Sequence, residues 1–585
     1  MSARGIGPGR AAAVVALPVF VLIAVVGVLP FATAARDSFF HDVWGARSFA
    51  GLENYRDLVE DRAFFLSFAI SALWAVLSAL FSTTLGCILG IALYESKRTR
   101  KVLFLALLVP WGIPAFISVP IWRMLIHGSG GRSFLSALLG FEINLLTDPV
   151  AGFAAALAVG VWLGAPLAAF AVYAALSRLP RGVAETAAMD GAGPWTMARW
   201  IYFPQIRSSI LIMGTLELVK SFKEFTVPFL MTAGGPPFRA GITERHIVGA
   251  TTTLEIFLYD AFRDLDDYGI PAAYATAVAC IVVIATACWL RLRRRADDGR
   301  ASIGGKAPGA GADIAWRVTK LGASALAVLS AALVLYATAW LSLSDLSAVY
   351  IDGFLPRFLS FRPFIAVVRD EGIFRYFLNT LLVAGATALL VPLIVFPAAW
   401  LLARSGKDRK AGIFASIEAL GMTGGIHSLI PLYAAFRALG LLGGYLPIVV
   451  VYLFHALPFA LFTIAAHIER LPRSLEEAAA LEGMAWPSYM ARVLAPLAAP
   501  ALTAATMTAF ISAWNGFLVP LVFLSDDDLY PIGVKLHALV GSVASGNPKW
   551  NLFAAASVLN MAFVAMLLHR FKDPLGSRHS GEAEE

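Results

Sequence analysis

Glu185-Thr-Ala-Ala-Met-Asp-Gly191 is followed after nine residues by Ile201-Tyr-Phe-Pro204, and Glu477-Ala-Ala-Ala-Leu-Glu-Gly483 is followed after nine residues by Val493-Leu-Ala-Pro496. In both stretches Gly comes six positions after Glu, and Pro thirteen after Gly. The second begins 292 residues beyond the first, about half of the 585-residue chain. That offset implies an internally duplicated protein. Each stretch reads as a short helix stopped at a glycine and set between apolar runs. It holds no catalytic constellation, so it reads as a surface on which something else docks.

Composition defines the surroundings. Hydrophobic residues make up 59% of the chain and charged residues 15%, with a mean hydropathy of +0.74. Soluble globular domains carry about 25% charged residues. The charges cluster between apolar runs long enough to cross a hydrocarbon core of about 30 Å, which takes about 20 helical residues. Lipid offers the backbone no partner, so runs this continuous are helices; strands of a membrane barrel would alternate. A net charge of +7 would suit nucleic acid. The basic residues instead flank the apolar runs, as the positive-inside rule requires, and no nucleic-acid partner is expected. Cys87, Cys280 and Cys288 lie inside apolar runs without metal or redox spacing and read as small buried hydrophobes. His427, His455 and His467 lack ligand spacing, so no metal site is expected.

Twelve apolar runs are counted, near 11–35, 63–94, 102–126, 149–177, 208–233 and 271–290, then 321–344, 374–403, 411–437, 446–468, 501–524 and 551–568. The expected fold is therefore all-α: a polytopic membrane protein of about 12 transmembrane helices in two parallel repeats of about six. The first run is too long for a signal peptide and reads as a retained span. The loops 95–101 and 404–410 and the stretch from Arg291 to Lys320 are basic. They alternate with loops rich in Asp260, Asp264, Asp266 and Asp267, or in Asp526, Asp527 and Asp528. Basic loops stay in the cytoplasm, which places both termini and both repeated stretches there. Residues 1–290 are read as a first transmembrane domain and 321–570 as a second. Between them, 291–320 reads as a flexible basic cytoplasmic linker, and 571–585 as a disordered tail.

The repeated stretches resemble the EAA motif of binding-protein-dependent ABC importer permeases: E-A-A, three residues, G, nine residues, I-x-L-P. Thr186 and Phe203 depart from it in the first copy, Val493 and Ala495 in the second. The resemblance implies a multi-pass protein of a prokaryotic inner membrane, working in the lipid bilayer. It also implies a small-molecule substrate delivered by an extracytoplasmic solute-binding protein. Each loop would form a short coupling helix seated on an ATPase subunit. Carried over by position, the coupling residues are Glu185, Ala187, Asp190, Gly191 and Pro204, and Glu477, Ala478, Ala479, Gly483 and Pro496. The glutamates would make polar contacts to the ATPase, and the glycines would break the helix, since glycine adopts positive φ at little cost. No G-x-x-x-x-G-K-[ST] pattern occurs in the chain. The ATPase is then expected as two copies of a separate subunit that bind ATP and Mg. This chain is expected to bind no cofactor and to be no enzyme.

Further motifs resemble those of carbohydrate importers of the maltose and glycerol-phosphate type. Gly51-Leu-Glu-Asn-Tyr55 and Thr232-Ala-Gly-Gly-Pro236 match the first permease of such systems. Phe377-Leu-Asn-Thr380 and Trp514-Asn-Gly-Phe517 match the second, with Gly516 in place of the usual Glu. The order implies two permeases fused in one chain, carrying a sugar or sugar-like solute. Fused permeases also occur for iron(III) and thiamine, which with polyamines and other small solutes stay open as alternatives. A secondary transporter of twelve helices is the rival class. Ionisable residues within spans are costly and functional by default. Glu217, Lys220 and Glu224, spaced for one helical face, are therefore candidates for the substrate path, as are Trp514 for stacking and Asn515 for bonding hydroxyls.

Overall fold

The computed structural model describes residues 17–43, 46–96, 98–127, 133–140, 142–242, 246–264, 267–297, 310–345, 359–406, 413, 424–542 and 548–576. In the first half, α1 (Leu17–Asp37) precedes α2 (Arg62–Glu95), α3 (Arg100–Gly112), α4 (Ala115–His127), α5 (Pro149–Leu176), α6 (Arg181–Met189), α7 (Phe203–Phe222), α8 (Leu254–Asp264) and α9 (Gly269–Asp297). In the second, α10 (Ala310–Ser342) precedes α11 (Ile373–Ala403), α12 (Ile426–Ala438), α13 (Leu446–Glu469), α14 (Ser474–Leu481), α15 (Ala499–Trp514), α16 (Ile532–Val540) and α17 (Trp550–Gly576).

Two of the long spans start where a side chain satisfies the first backbone N–H groups. The Asp61 carboxylate accepts from Ala63 at the head of α2, and Asp148 accepts from Val150 and Ala151 at the head of α5. In the first half α2, α5 and α7 pack side by side, and α11, α13 and α15 repeat that bundle in the second. Without a hydrophobic drive between helices in lipid, close packing relies on small residues. A Cβ on Gly86 would collide with Ala168, and one on Gly90 would meet Val172 at 2.7 Å.

Seven described helices are long and apolar enough to cross a membrane, or nine if each bent pair counts as one span. The twelve expected runs resolve as follows. The 102–126 run is a bent pair, α3 and α4 turning by 103° at the break before Pro114, and the run beginning near 501 belongs to a second bent pair, turning by 82°. The 208–233 run is not one span: α7 ends at Phe222, and a short helix, Thr226–Thr232, follows a break. The 271–290 run is the shorter apolar helix Gly269–Ile284 extended by a charged end. Most of the 411–437 run lies outside the described residues. The segment read as linker is helical at both ends, to Asp297 and from Ala310, while 298–309 lie outside the described residues. Likewise α17 runs on to Gly576 into the segment read as tail, and 577–585 lie outside.

The halves exchange their first spans. Helix α1 packs on α12 of the second half as well as on α9, and α10 packs on α2, α3 and α4 of the first half as well as on α17. Buried polar contacts also cross the junction. His427 Nδ1 lies 2.7 Å from Glu255 Oε1, and the other Glu255 oxygen accepts from the Ile426 N–H. Arg123, 3% exposed, donates to the carbonyls of Val540 and Gly541 at the end of α16. A buried cation needs such acceptors.

Candidate functional site

Both repeated loops make the same backbone hydrogen bonds, in register. Helix α6 ends in a reverse turn in which Gly191 N–H bonds Ala188 O at 3.1 Å and Ala192 N–H bonds Ala187 O at 3.0 Å. At the 292-residue offset, Gly483 N–H bonds Ala480 O at 3.0 Å and Met484 N–H bonds Ala479 O at 2.9 Å. Such a turn needs a left-handed residue. Gly191 has φ +80° and Gly483 φ +70°. The chain then re-enters helix through a π-helical turn, Ala198–Tyr202 in one copy and Met490–Leu494 in the other. Pro204 and Pro496 explain it: each lacks an N–H, and its ring presses on the carbonyl four residues back, which widens the turn.

Glu185 and Glu477 are exposed and make no ion pair among the described residues. Asp190 and Ala478 are exposed too, whereas Ala479 is buried under its loop. Met189 and Leu481 stand out beside them. These large apolar side chains, 88% and 90% exposed, also lie 292 residues apart. An apolar residue in such a loop reads in sequence as a core position, and only its repetition in both copies could have marked it.

The second constellation lies where α7 and α15 break. The same offset pairs Phe222 with Trp514, Lys223 with Asn515, Glu224 with Gly516 and Phe225 with Phe517. Glu217, Lys220, Ser221 and Glu224 from the first half and Asn515 from the second line one cavity of about 300 Å³, together with Trp74 and Trp111. Glu217 is nearly buried; its carboxylate is 3.6 Å from Lys220 Nζ and 3.4 Å from Ser221 Oγ. Its other neighbours are Ser82 and Gly164, in an adjoining space of about 260 Å³. Glu224 is past the end of α7, not on its face, and accepts from the Val227 N–H at 3.1 Å.

Four of the five sequence candidates thus meet, and Trp514 does not join them. Its indole is 1% exposed, stacks between Phe510 and Phe563 at 5.5 and 5.0 Å, and donates to Asn560 Oδ1 at 3.1 Å. Burial in helix packing removes it from any path. Gly516 is equally explained by packing: a Cβ there would collide with the Tyr452 hydroxyl.

The remaining motif residues hold the fold. Asn54 donates to Ser38 O and Phe40 O, fastening the hairpin of β1 (Phe40–Val43) and β2 (Ala46–Phe49) that follows α1. Asn379 donates to Asp528 O and Tyr530 O, while Thr380 Oγ1 accepts from the first N–H of α16 at 2.8 Å. Ser71 does the same for the first N–H of α8 at 2.6 Å.

Two helical repeats of membrane-spanning character, each with an exposed loop and a broken helix at the junction, define a permease. Residues 82–298 and 373–574 match the family of binding-protein-dependent transport system inner membrane components, and the chain belongs to that family, carrying its domain twice. A trehalose/maltose transport system permease protein MalF of Thermococcus litoralis is 26% identical over 282 residues, 48% of this chain and 92% of the relative. A putative ABC transporter permease protein ORF1 of Streptomyces antibioticus is 33% identical over 201 residues, 34% of this chain and 87% of the relative. A maltose/maltodextrin transport system permease protein MalF of Photorhabdus laumondii is 29% identical over 242 residues, 40% of this chain. The match spans 46%, about half, of that relative's length.

Proposed function

We propose that this chain is the complete transmembrane pathway of an ATP-driven importer for a sugar or sugar-like solute, with both termini in the cytoplasm. The observation that carries the reading is the cavity at the junction of the halves. It sets the exposed Trp111 beside carboxylate, ammonium, hydroxyl and amide groups, with Trp74 buried behind them, a set that can stack on a sugar ring and bond its hydroxyls. The printed names of the trehalose/maltose and maltodextrin relatives support the same substrate class.

Two copies of an ATPase subunit, binding ATP and Mg, would dock on α6 and α14. Met189 and Leu481 would enter apolar pockets of the ATPase, with Glu185 and Glu477 at their rims. Desolvated apolar anchors ringed by polar contacts are what concentrates binding energy in an interface. Closure of the ATPase pair would pull both loops and exchange the inward-facing and outward-facing packings of the spans. An extracytoplasmic binding protein would deliver the solute.

The test is uptake of labelled maltose and trehalose by cells carrying the chain with its ATPase and binding protein, normalised to protein in the membrane. Glu224→Gln and Asn515→Ala should each cost roughly tenfold, the worth of one or two lost hydrogen bonds in the limiting state. Lys220→Gln should cost less, since Lys220 is half exposed and serves Glu217. A collapse confined to Lys220→Gln would point to an anionic solute and overturn the sugar reading. Competition by a polyamine, abolished by Glu224→Gln, would overturn it in favour of a cation.

A further inference from the structure

Helix α10 begins the second half, yet its first eleven residues are fastened to the loop of the first. Asp313 Oδ1 accepts from the Trp195 N–H at 2.8 Å, four residues after Gly191. Gly193 admits the contact, because any Cβ there would occupy the space of the Asp313 carboxylate. Trp316 packs edge-on against Trp195, with ring centroids 5.4 Å apart. The Trp316 side chain joins a small apolar cluster, separate from the main core, in which Ala184, Ala187 and Ala192 of the loop meet Val172, Leu176, Met197 and Tyr202. Lys320 pairs with Glu95 at the end of α2, and deeper in the bundle Trp162 of α5 donates to Ser330 at 3.0 Å. The same helix also packs on α17 of the second half.

We infer that α10 is an inter-half strut: the segment Ala310–Lys320 rides on the first loop, and α10 carries that loop's displacement directly into the second half. Three kinds of contact support it. A charge-assisted hydrogen bond is directional, a glycine is reserved for it, and an aromatic wedge closes the loop's own apolar cluster. Among the described residues, the second loop is braced by α11 of its own half, through Arg404 and Glu476. Asp313 and Trp316 are accordingly positioning residues for transport. The inference rests on the reading that the two loops couple to an ATPase.

The test uses pulsed spin-label distances in the full complex with its ATPase, in nanodiscs, in a chain whose Cys87, Cys280 and Cys288 are replaced. Labels go on the exposed, offset-related positions Arg199 and Ala491, which report the two loops, and on exposed Arg317, which reports the strut. On addition of magnesium ATP with vanadate, the 199–491 distance should change, the 317–491 distance should follow it, and the 199–317 distance should stay constant. Asp313→Ala with Trp316→Ala should release the segment, so that 199–317 changes on ATP and the 317–491 change falls by at least half. Asp313→Glu with Trp316 intact should restore the wild-type pattern. An unchanged 199–491 distance would refute coupling itself and the strut with it. A changed 199–491 distance with 317 fixed relative to 491 would refute the strut alone, and this wild-type measurement decides the matter even if the double variant fails to insert.

Discussion

The two repeated loops share a backbone and, among the described residues, differ in what holds them. The first sits in a detached apolar cluster closed by Trp316 and capped by Asp313, both from the other half. The second sits on the main core through Ala479, Tyr489, Met490 and Leu494. Its own α11 secures it: Arg404 Nε reaches Glu476 Oε1 at 2.6 Å, Trp400 Nε1 reaches the same oxygen at 3.2 Å, and Trp400 meets Trp486 edge-on. The broken helices differ in the same spirit, Lys223-Glu224 against Asn515-Gly516. Duplication preserved the backbone of the loops and the exposure of Glu185 and Met189, and of Glu477 and Leu481. It let the supports and the cavity lining diverge.

If the outer faces of the loops are equivalent, Met189→Glu and Leu481→Glu should each cut uptake and co-purification of the ATPase by roughly thirtyfold, the loss of a buried anchor worth about 2 kcal/mol. A large effect at one loop with none at the other would break the equivalence. The broken helices sharpen the comparison next. Gly516→Ala should destabilise the protein by about 1–3 kcal/mol through overpacking. Tyr452→Phe in the same chain should recover much of it, which thermal unfolding in nanodiscs would read. At the supports, Arg404→Ala should cost about 1 kcal/mol, the scale of a partly exposed pair, and loosen only the second loop, seen as faster hydrogen exchange at 474–484.

The smallest expected effects lie in the loops after the first span of each half and have opposite pH signs. His41 is held above its ordinary pKa by the hydrogen bond to Asp267, against the opposing pull of burial, with a further bond to Glu53. Its contribution to stability is complete below about pH 6.5 and fades as pH rises through the folded value. Burial works to raise the pKa of Glu371, but bonds to Lys549 and Lys535 prevail and hold it below the ordinary range. Its contribution is complete above about pH 4.3 and fades as pH falls through the folded value. His41→Ala should flatten only the alkaline limb of a melting profile against pH, and Glu371→Gln only the acid limb.

Much of this was legible in the chain. Composition placed it in lipid, the 292-residue offset announced the duplication and the positive-φ glycines, and the cost of charge within a span singled out Glu217, Lys220 and Glu224. The same offset also pairs Glu224 with Gly516, a correspondence open to anyone who follows it past Pro204. What stayed hidden depends on contacts rather than on pattern. An apolar run does not show that it doubles back, as α3 and α4 do at the break before Pro114. Trp514 looks the same in sequence whether its ring meets a solute or is stacked between Phe510 and Phe563. Nor does periodicity say that α10 leans on the first half, since its apolar face would suit either.

The exchange of first spans sets the order in which this protein can be made. As the chain leaves the ribosome, α1 enters the bilayer long before α12 exists to receive it, and so waits beside α9 or lipid. The seat for α10 on α2 and α3 is finished early and stays open until the second half begins to emerge. Each half is thus unfinished until the other arrives, and a chain cut short after the first half would leave the seat for α10 empty.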